Sequence, residues 1–238
     1  MRWIAGWIAV CAVVCCLPAR AAMVTYGFQC ISANVASACT AGQSQFTMVV
    51  TDQVNGSALI NQALFVFQNS GPSASSITDL YFDDGTLLGI ASVMNGTGVN
   101  FSQGAAPGNL PGGNLLLPAF QTTAGFSADS NPPTQPNGVN QGESVSILFN
   151  LVSGTNFANL IAGLNGVIRD KDNAPALRVG VHAQGFAGGS SASFVNNTAP
   201  IAAVPLPGAA GLMLLGVLAL AAPRIRITKP FAVPQQAG

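Results

Sequence analysis

Short runs of alternating apolar and polar residues are the feature of this chain that most restricts its fold. Three segments alternate clearly: QFTMVVTD at 45–52, SVSILFNL at 144–151 and LRVGVHAQ at 177–184. Residues two apart point to the same side of an extended strand, so each segment predicts a strand with one buried face. Three further candidate strands are ALFVFQN (63–69), ITDLYFDD (77–84) and the weaker TLLGIASV (86–93).

The segments between these runs are rich in Gly, Pro, Asn and Ser, as in GPSASS, GAAPGNLPGGN and SNPPTQPNG. Such clusters break regular structure, and they predict a mainly β domain over residues 22–198, an antiparallel β-sandwich with one buried face per sheet. One segment has a different period. In TNFANLIAGL (155–164) the large apolar residues recur at helical spacing, which predicts one short helix capped by Thr155 or Asn156.

The N-terminus has the pattern of a secretory signal peptide over residues 1–21. An early base, Arg2, precedes an apolar stretch from Trp3 to Leu17, and small residues flank Arg20. Signal peptides form this pattern and are removed on export. Cleavage is expected after Ala21, with Ala22 as the second choice. The alternative is an N-terminal membrane anchor, for which the apolar run is short.

Removal of the signal peptide would leave two cysteines, Cys30 and Cys39. Exported chains meet oxidising conditions, so the two cysteines are expected to form a disulfide. Neither has a His or Cys neighbour at metal-ligand spacing, which argues against a zinc site.

The charge distribution argues against nucleic-acid binding. Only 7% of the residues are charged, and residues 22–203 contain three basic side chains against eight acidic ones. Nucleic-acid binding needs a basic patch to replace phosphate counterions. An acidic, Ser- and Asn-rich body is instead typical of an exported or surface protein.

The single histidine, His182, is the obvious candidate for catalysis. A hydrolase triad needs a histidine, a nucleophile and an orienting acid, and no Gly-x-Ser-x-Gly motif occurs in the chain. The alternation of LRVGVHAQ puts His182 on the outward face of its strand without an evident partner. The sequence therefore predicts a surface histidine, no catalytic residues and no enzymatic activity.

Three carboxylates, Asp79, Asp83 and Asp84, cluster around the segment YFDDG. Calcium prefers oxygen ligands, so these residues are candidate calcium ligands. The spacing of a helical calcium loop is absent, and Asp-Gly commonly ends a strand as a turn, which is the favoured interpretation. RDKDN (169–173) is expected to be a polar turn before the next strand. No metal and no cofactor are predicted.

Residues 199–238 combine a linker, an apolar run and a basic end. No charge occurs between Gly208 and Ala222, and Arg224, Arg226 and Lys229 follow. About eighteen helical residues at ~1.5 Å each span roughly 27 Å, enough to cross a hydrocarbon core. The bases after it are expected to stay in the cytoplasm. The alternative is a buried core helix.

This tail resembles the PEP-CTERM sorting signal of Gram-negative bacteria in its VPLP form. In that family a Val-Pro-x-Pro motif precedes a short membrane helix and terminal arginines. The motif corresponds here to Val204, Pro205, Leu206 and Pro207, with Leu206 where the name-giving Glu would be, and the arginines to Arg224 and Arg226. ITDLYFDDG, GESVSILFNL and LRVGVHAQGFAGGSSASFVN also look similar to body segments of such proteins. ITKPFAVPQQAG extends past the point where the family usually ends.

The resemblance implies where in the cell the protein is sorted, more than what reaction it catalyses. Proteins with this signal are substrates of exosortase, a membrane cysteine protease-transpeptidase, and occur in bacteria that make extracellular polysaccharide and biofilm matrix. The first expectation is a non-enzymatic exported protein of the cell envelope or matrix, held transiently or permanently at the inner membrane. The alternative is a carbohydrate-binding β-sandwich anchored permanently by its tail, and a hydrolase is the third choice.

Overall fold

The computed structural model describes residues 22–200 and the short strand 202–203. The predicted signal peptide, the VPLP motif, the transmembrane helix and the basic tail therefore lie outside the described residues. Among the described residues, the helices are all too short or too polar to cross a bilayer. The described residues belong to one compact unit, which is the body of the chain.

The body is mainly β and antiparallel, as the sequence predicts. The strands are β1 Met23–Ala33, β2 Phe46–Thr51, β3 Gln53–Val54, β4 Ser57–Ala58, β5 Gln62–Asn69, β6 Ser76–Asp84, β7 Leu87–Asn95, β8 Phe101–Gln103, β9 Ser127–Ser130, β10 Ser144–Leu151, β11 Leu177–Phe186, β12 Ser190–Asn196 and β13 Ala202–Ala203. All six strands predicted from the sequence are present, as β2, β5, β6, β7, β10 and β11. The other seven were not predicted, because they are short or lack a clear alternation.

The sandwich prediction is correct only in part, because the two halves of the structure belong to one continuous path of strands. The order is β7-β10-β5-β2-β1-β12-β11-β6-β9-β8, with β13 added beside β1 and β3-β4 as a separate hairpin. β1 joins the halves: Met23–Gly27 pair with β2, and Phe28–Ala33 pair with β12 across a bulge. A single long strand thus serves both halves of the sheet.

The core lies between the two halves and is rich in phenylalanine. Phe65 of β5 meets Phe82 of β6 edge to face with ring centroids 5.6 Å apart, and Phe82 meets Phe149 of β10 at 4.5 Å. All three side chains are fully buried. Burial of each contributes about 1.5–3 kcal/mol, and edge-to-face geometry adds to this.

A long connection covers the outer face of β6, β11 and β12. We call residues 105–123, which lie between β8 and β9, the covering segment. Its Leu110 and Phe120 form a second apolar cluster with Tyr81 of β6 and Val195 of β12. Gly180 of β11 leaves the space that Leu110 fills, since a Cβ there would lie 2.6 Å from a Leu110 methyl carbon. The expectation of one buried face is therefore wrong for β6 and β11.

Three α-helices are present among the described residues, where the sequence predicted one. They are α1 Ala36–Gln45, α2 Thr134–Asn137 and α3 Phe157–Leu164, and 3-10 turns occur at Gly113–Leu115 and Ala187–Gly189. The predicted helix is α3, and Asn156 is its cap: its side chain accepts from the Asn159 amide while the Asn159 side chain accepts from the Asn156 amide.

Helix α1 was missed because its sequence, ASACTAGQSQ, has no apolar stripe at helical spacing. Two tertiary interactions stabilise it instead. The disulfide Cys30–Cys39, predicted from the sequence, is confirmed and ties α1 to β1 with the Cα atoms 5.3 Å apart. Gly42 also packs directly on the ring of Phe194 in β12.

Candidate functional site

A polar cleft opens where β6 ends and β11 begins, with a volume of about 570 Å³. Three parts of the chain meet there: the end of β6, the covering segment and the turn that precedes β11. We call this the polar cleft. Its lining residues are Asp83, Asp84, Pro118, Ala119, Gln121, Thr122, Thr123, Asp170, Lys171, Asp172 and Arg178.

The guanidinium of Arg178 forms the floor of the polar cleft and is almost fully buried, with 8% of the residue exposed. It pairs with the carboxylate of Asp83, its neighbour across the β6–β11 ladder, and donates to the carbonyls of Pro118 and Ala119. The Phe120 ring lies 5.4 Å from its central carbon. A buried charge needs such partners, so Arg178 connects the covering segment to the sheet.

The Asp84 carboxylate closes the turn between β6 and β7. One of its oxygens accepts the amide hydrogens of Thr86 and Leu87, at 2.8 and 2.6 Å. Burial raises the pKa of Asp84 above its usual range, an effect that these two hydrogen bonds partly offset. This geometry is the strand-end turn favoured by the sequence.

The predicted polar turn before β11 forms the opposite wall of the polar cleft. Asp170 accepts the amide hydrogens of Asp172 and Ala174, each at 2.9 Å. Lys171 pairs with Asp172, and this hydrogen bond raises the pKa of Lys171. The aspartates of the turn thus have local partners and stabilise its shape.

A second group of ionisable residues lies on the same sheet, in a row across three strands. Asp129 of β9 faces Asp79 of β6, which in turn faces His182 of β11. The His182 Nδ1 lies 2.9 Å from Asp79 Oδ2, and the Thr78 hydroxyl donates to the same oxygen at 2.7 Å. Burial, together with the neighbouring Asp79 carboxyl, raises the pKa of Asp129 to about 6.

The prediction of a surface histidine without a partner is wrong. His182 does point away from Val181 and the main core, as the alternation indicates, but its side chain is only 14% exposed and contacts Asp79. The partner could not be identified from the sequence, because Asp79 lies 103 residues earlier in the chain. In the described part of the chain, the side-chain hydrogen bond of His182 goes to this carboxylate.

The three candidate calcium ligands do not converge on one point. Asp79 lies four residues before Asp83 on β6, about 13 Å along an extended strand, and contacts His182 instead. Asp83 pairs with Arg178 and Asp84 with backbone amides. Among residues 22–200, no three His, Cys, Asp or Glu side chains are grouped so that they could hold a metal ion.

The polar cleft combines carboxylates, one amide and two hydroxyls, groups that can hydrogen-bond a ligand rich in hydroxyls. Its lining residues contain no aromatic side chain.

Arg178 and Asp129 are the residues that the sequence analysis did not select, because their significance depends on which strands pair. Comparisons with models of protein families, with characterised proteins and with solved structures gave no match to this chain.

Proposed function

We propose that this chain is a non-enzymatic protein of the cell envelope or extracellular matrix, exported by a signal peptide and sorted through its C-terminal segment. In this proposal residues 1–21 direct export, and Val204, Pro205, Leu206 and Pro207 are the motif that an exosortase processes. The apolar helix and the bases Arg224 and Arg226 stop transfer at the inner membrane. Exopolysaccharide is the further partner, and the body has no cofactor.

The observation that carries the proposal is the position of strand β13 relative to the motif. β13 ends at Ala203, one residue before Val204, and its two residues pair with Val24 and Thr25 of β1. The motif therefore begins one residue after a strand that is paired with the body, so an exosortase would act directly next to the folded body. Both ends of the body also meet on β1.

Two further properties of the body support export. The disulfide Cys30–Cys39 suits an oxidising compartment. The body is rich in Asn, Ser, Thr and Gln, and it has few charges for contacts with nucleic acid or an anionic membrane surface.

The decisive experiment compares matched cells with and without an active exosortase. With the enzyme, mass spectrometry should find a mature C-terminus within Pro205–Pro207, and without it the intact tail. A double substitution, Pro205→Ala with Pro207→Ala, should prevent processing, whereas Pro200→Ala, a proline just ahead of β13, should not. Retention of Arg224 and Lys229 on all mature protein would leave only a permanent anchor.

The membrane part of the proposal has a separate test. Replacing Leu214, Leu215 and Leu218 with Asp should abolish membrane retention, because each central charge costs ~2.5–3.5 kcal/mol on the insertion scale. Unchanged retention would exclude a transmembrane segment here, whatever the fate of the motif.

Carbohydrate binding is a second candidate function, favoured by the polar cleft. Sugars offer hydroxyl donors to carboxylates, and Gln121 is exposed at the rim with its side chain available. Titration with purified exopolysaccharide fragments should then give binding that Gln121→Ala weakens and that Gln141→Ala, an exposed glutamine outside the polar cleft, leaves unchanged. Equal binding by both variants would exclude this site.

A further inference from the structure

We infer that cleavage after Ala21 creates an α-ammonium group on Ala22 that forms an ion pair with Asp52, and that this pair holds the first residues of β1 in the sheet. The inference rests on the proposed export and adds what processing does to the body. The bond concerned is the peptide bond Ala21–Ala22. Hydrolysis by a signal peptidase adds water across it, leaving a carboxylate on Ala21 and an amine on Ala22 that takes up a proton.

The contact is already present in the uncut chain. The backbone nitrogen of Ala22 donates to Asp52 Oδ1 at 3.1 Å, and both residues are half-buried. Before cleavage this is a neutral amide bonded to a carboxylate. After cleavage the same nitrogen carries a positive charge at neutral pH, since free α-amino groups titrate near 7.7–8.0. A hydrogen bond between two charged groups is shorter and stronger.

Asp52 is conspicuously isolated. It is the sole charged residue between Ala22 and Thr78. The strands around it, β1 to β5 and β13, carry no other ionisable side chain except Tyr26, whose pKa is raised by burial, and Cys30, which is in the disulfide. Among the described residues the ion pairs are Lys171–Asp172, Arg178–Asp83 and His182–Asp79, so Asp52 forms no ion pair with another described residue.

The two cleavage points that the sequence leaves open would give products that differ at Asp52. Cleavage after Ala21 puts the new charge on the atom that already contacts Asp52. Cleavage after Ala22 would remove that atom and put the charge on Met23, which pairs with Thr51 in the β1–β2 ladder. Only the first product gives the isolated carboxylate a partner of opposite charge.

The pair would act on the first residues of β1. β1 joins the two halves of the sheet, and its first residues also hold β13, directly ahead of the sorting motif. Cleavage therefore adds a stabilising interaction at the strand on which both ends of the body depend. The raised pKa of the amine makes this contribution complete below about pH 8 and removes it as the pH rises through the folded-state value.

The experiment measures the reactivity of the α-amine on mature protein purified from cells. N-terminal sequencing should give Ala22 as the first residue, and a chain that begins at Met23 would overturn the inference. Timed acylation between pH 6 and 9, read by mass spectrometry of the N-terminal peptide, should give a wild-type pKa above 8. Asp52→Asn should react about 3- to 10-fold faster at pH 7.5, because loss of a nearby opposite charge lowers the pKa.

The matched control is Asp172→Asn, which removes the same charge from an exposed ion pair that is distant from Ala22 in the sequence. It should leave the acylation rate of the Ala22 amine unchanged. A wild-type pKa at or below 8, or equal rates in wild type and Asp52→Asn, would overturn the inference. The melting temperature of Asp52→Asn should fall by about 2–4 °C, while the control should change little.

Failure of export and failure of the ion pair can be told apart. The chain from Ala22 to Gly238 can also be produced behind a removable fusion partner that leaves Ala22 as the first residue, and studied in detergent. If cells retain residues 1–21, the proposed export is wrong, and this second preparation still measures the amine. If cells remove them but the two rates are equal, export stands and the ion pair does not.

Discussion

At the scale of single residues, the pairs that connect β6 to β11 explain the buried charges on the outer face of the sheet. Arg178 faces Asp83 and His182 faces Asp79 in the same ladder. The two pairs are four residues apart and each has its base on β11 and its acid on β6, so both match only in this register. A shift by one residue would turn every one of these side chains to the opposite face. The pairs therefore specify strand alignment, which requires no catalytic role for His182.

Replacement of His182 tests this structural role. His182→Ala should lower the free energy of unfolding by about 1–2 kcal/mol, because buried Asp79 loses one of its side-chain partners. Urea denaturation near pH 6 measures the effect. Gln184→Ala, two residues further on the same strand face, should change stability by less than about 0.5 kcal/mol. Equal stability of the His182 variant and wild type would mean that the pair contributes nothing.

Asp129 should make stability depend on pH. Its folded-state pKa of about 6 lies above the usual carboxyl value, so the folded state holds this proton more tightly than the unfolded chain. Its contribution is complete below about pH 4 and is lost as the pH rises through 6. Asp129→Asn should therefore melt a few degrees higher than wild type at pH 7.5 and show no such gain at pH 4. Thermal unfolding across this range would reveal a pH-independent difference if the idea were wrong.

At the scale of elements, α1 and the covering segment are ordered by what they pack against. Neither has a period in its sequence that predicts its structure. α1 rests on Phe194 through Gly42, and the covering segment rests on Gly180 through Leu110. In both places a glycine on one element admits a large side chain from another, so close approach rather than intrinsic propensity decides the conformation.

Gly42→Ala tests whether the close packing of α1 on Phe194 or the intrinsic helix propensity of residue 42 decides the stability of α1. At an exposed helix position this change stabilises by up to about 1 kcal/mol. At Gly42 we expect destabilisation by about 1–3 kcal/mol, because the new Cβ would lie 2.2 Å from the buried Phe194 ring. Ser44→Ala, an exposed position in the same helix, should be neutral or slightly stabilising. Chemical denaturation of both variants measures the difference, and a more stable Gly42 variant would contradict the packing of α1 on β12.

At the scale of the whole molecule, the two ends of the strand path approach each other. β7 and β8 are the terminal strands, and the side chain of Asn95 at the end of β7 both donates to the carbonyl and accepts from the amide of Phe101 in β8. The Asn95 amide thus substitutes for a backbone ladder rung between two strand edges. Pairing of this kind protects edges that would otherwise be free to associate.

Removal of this contact should loosen the edge without unfolding the core. Asn95→Ala should speed hydrogen exchange at the Phe101 amide several-fold, since its 2.7 Å hydrogen bond is lost. Met94→Ala, the preceding exposed residue, should not. Exchange measured by NMR or mass spectrometry provides the comparison, and unchanged exchange at Phe101 would show that other contacts hold β8.

The sequence by itself determined the parts of this protein that depend on local periodicity. A period of two residues identified β2, β10 and β11, and short apolar runs bounded by turn residues identified β5, β6 and β7. Helical spacing and an Asn cap identified α3, and the two cysteines left after residues 1–21 identified the disulfide. In the candidate site, the sequence selected the aspartates of the polar cleft and assigned them to turns.

Only the tertiary structure decided which segments meet. The partners of Asp83 and Asp79 lie 95 and 103 residues away, and that of Ala22 lies 30 residues away. No local pattern carries such information, because strand order and register arise from the packing of the whole core. The double pairing of β1, the covering segment over β11 and the burial of Arg178 and His182 follow from that packing. The polar face of an alternating strand is exposed only when nothing else in the fold covers it.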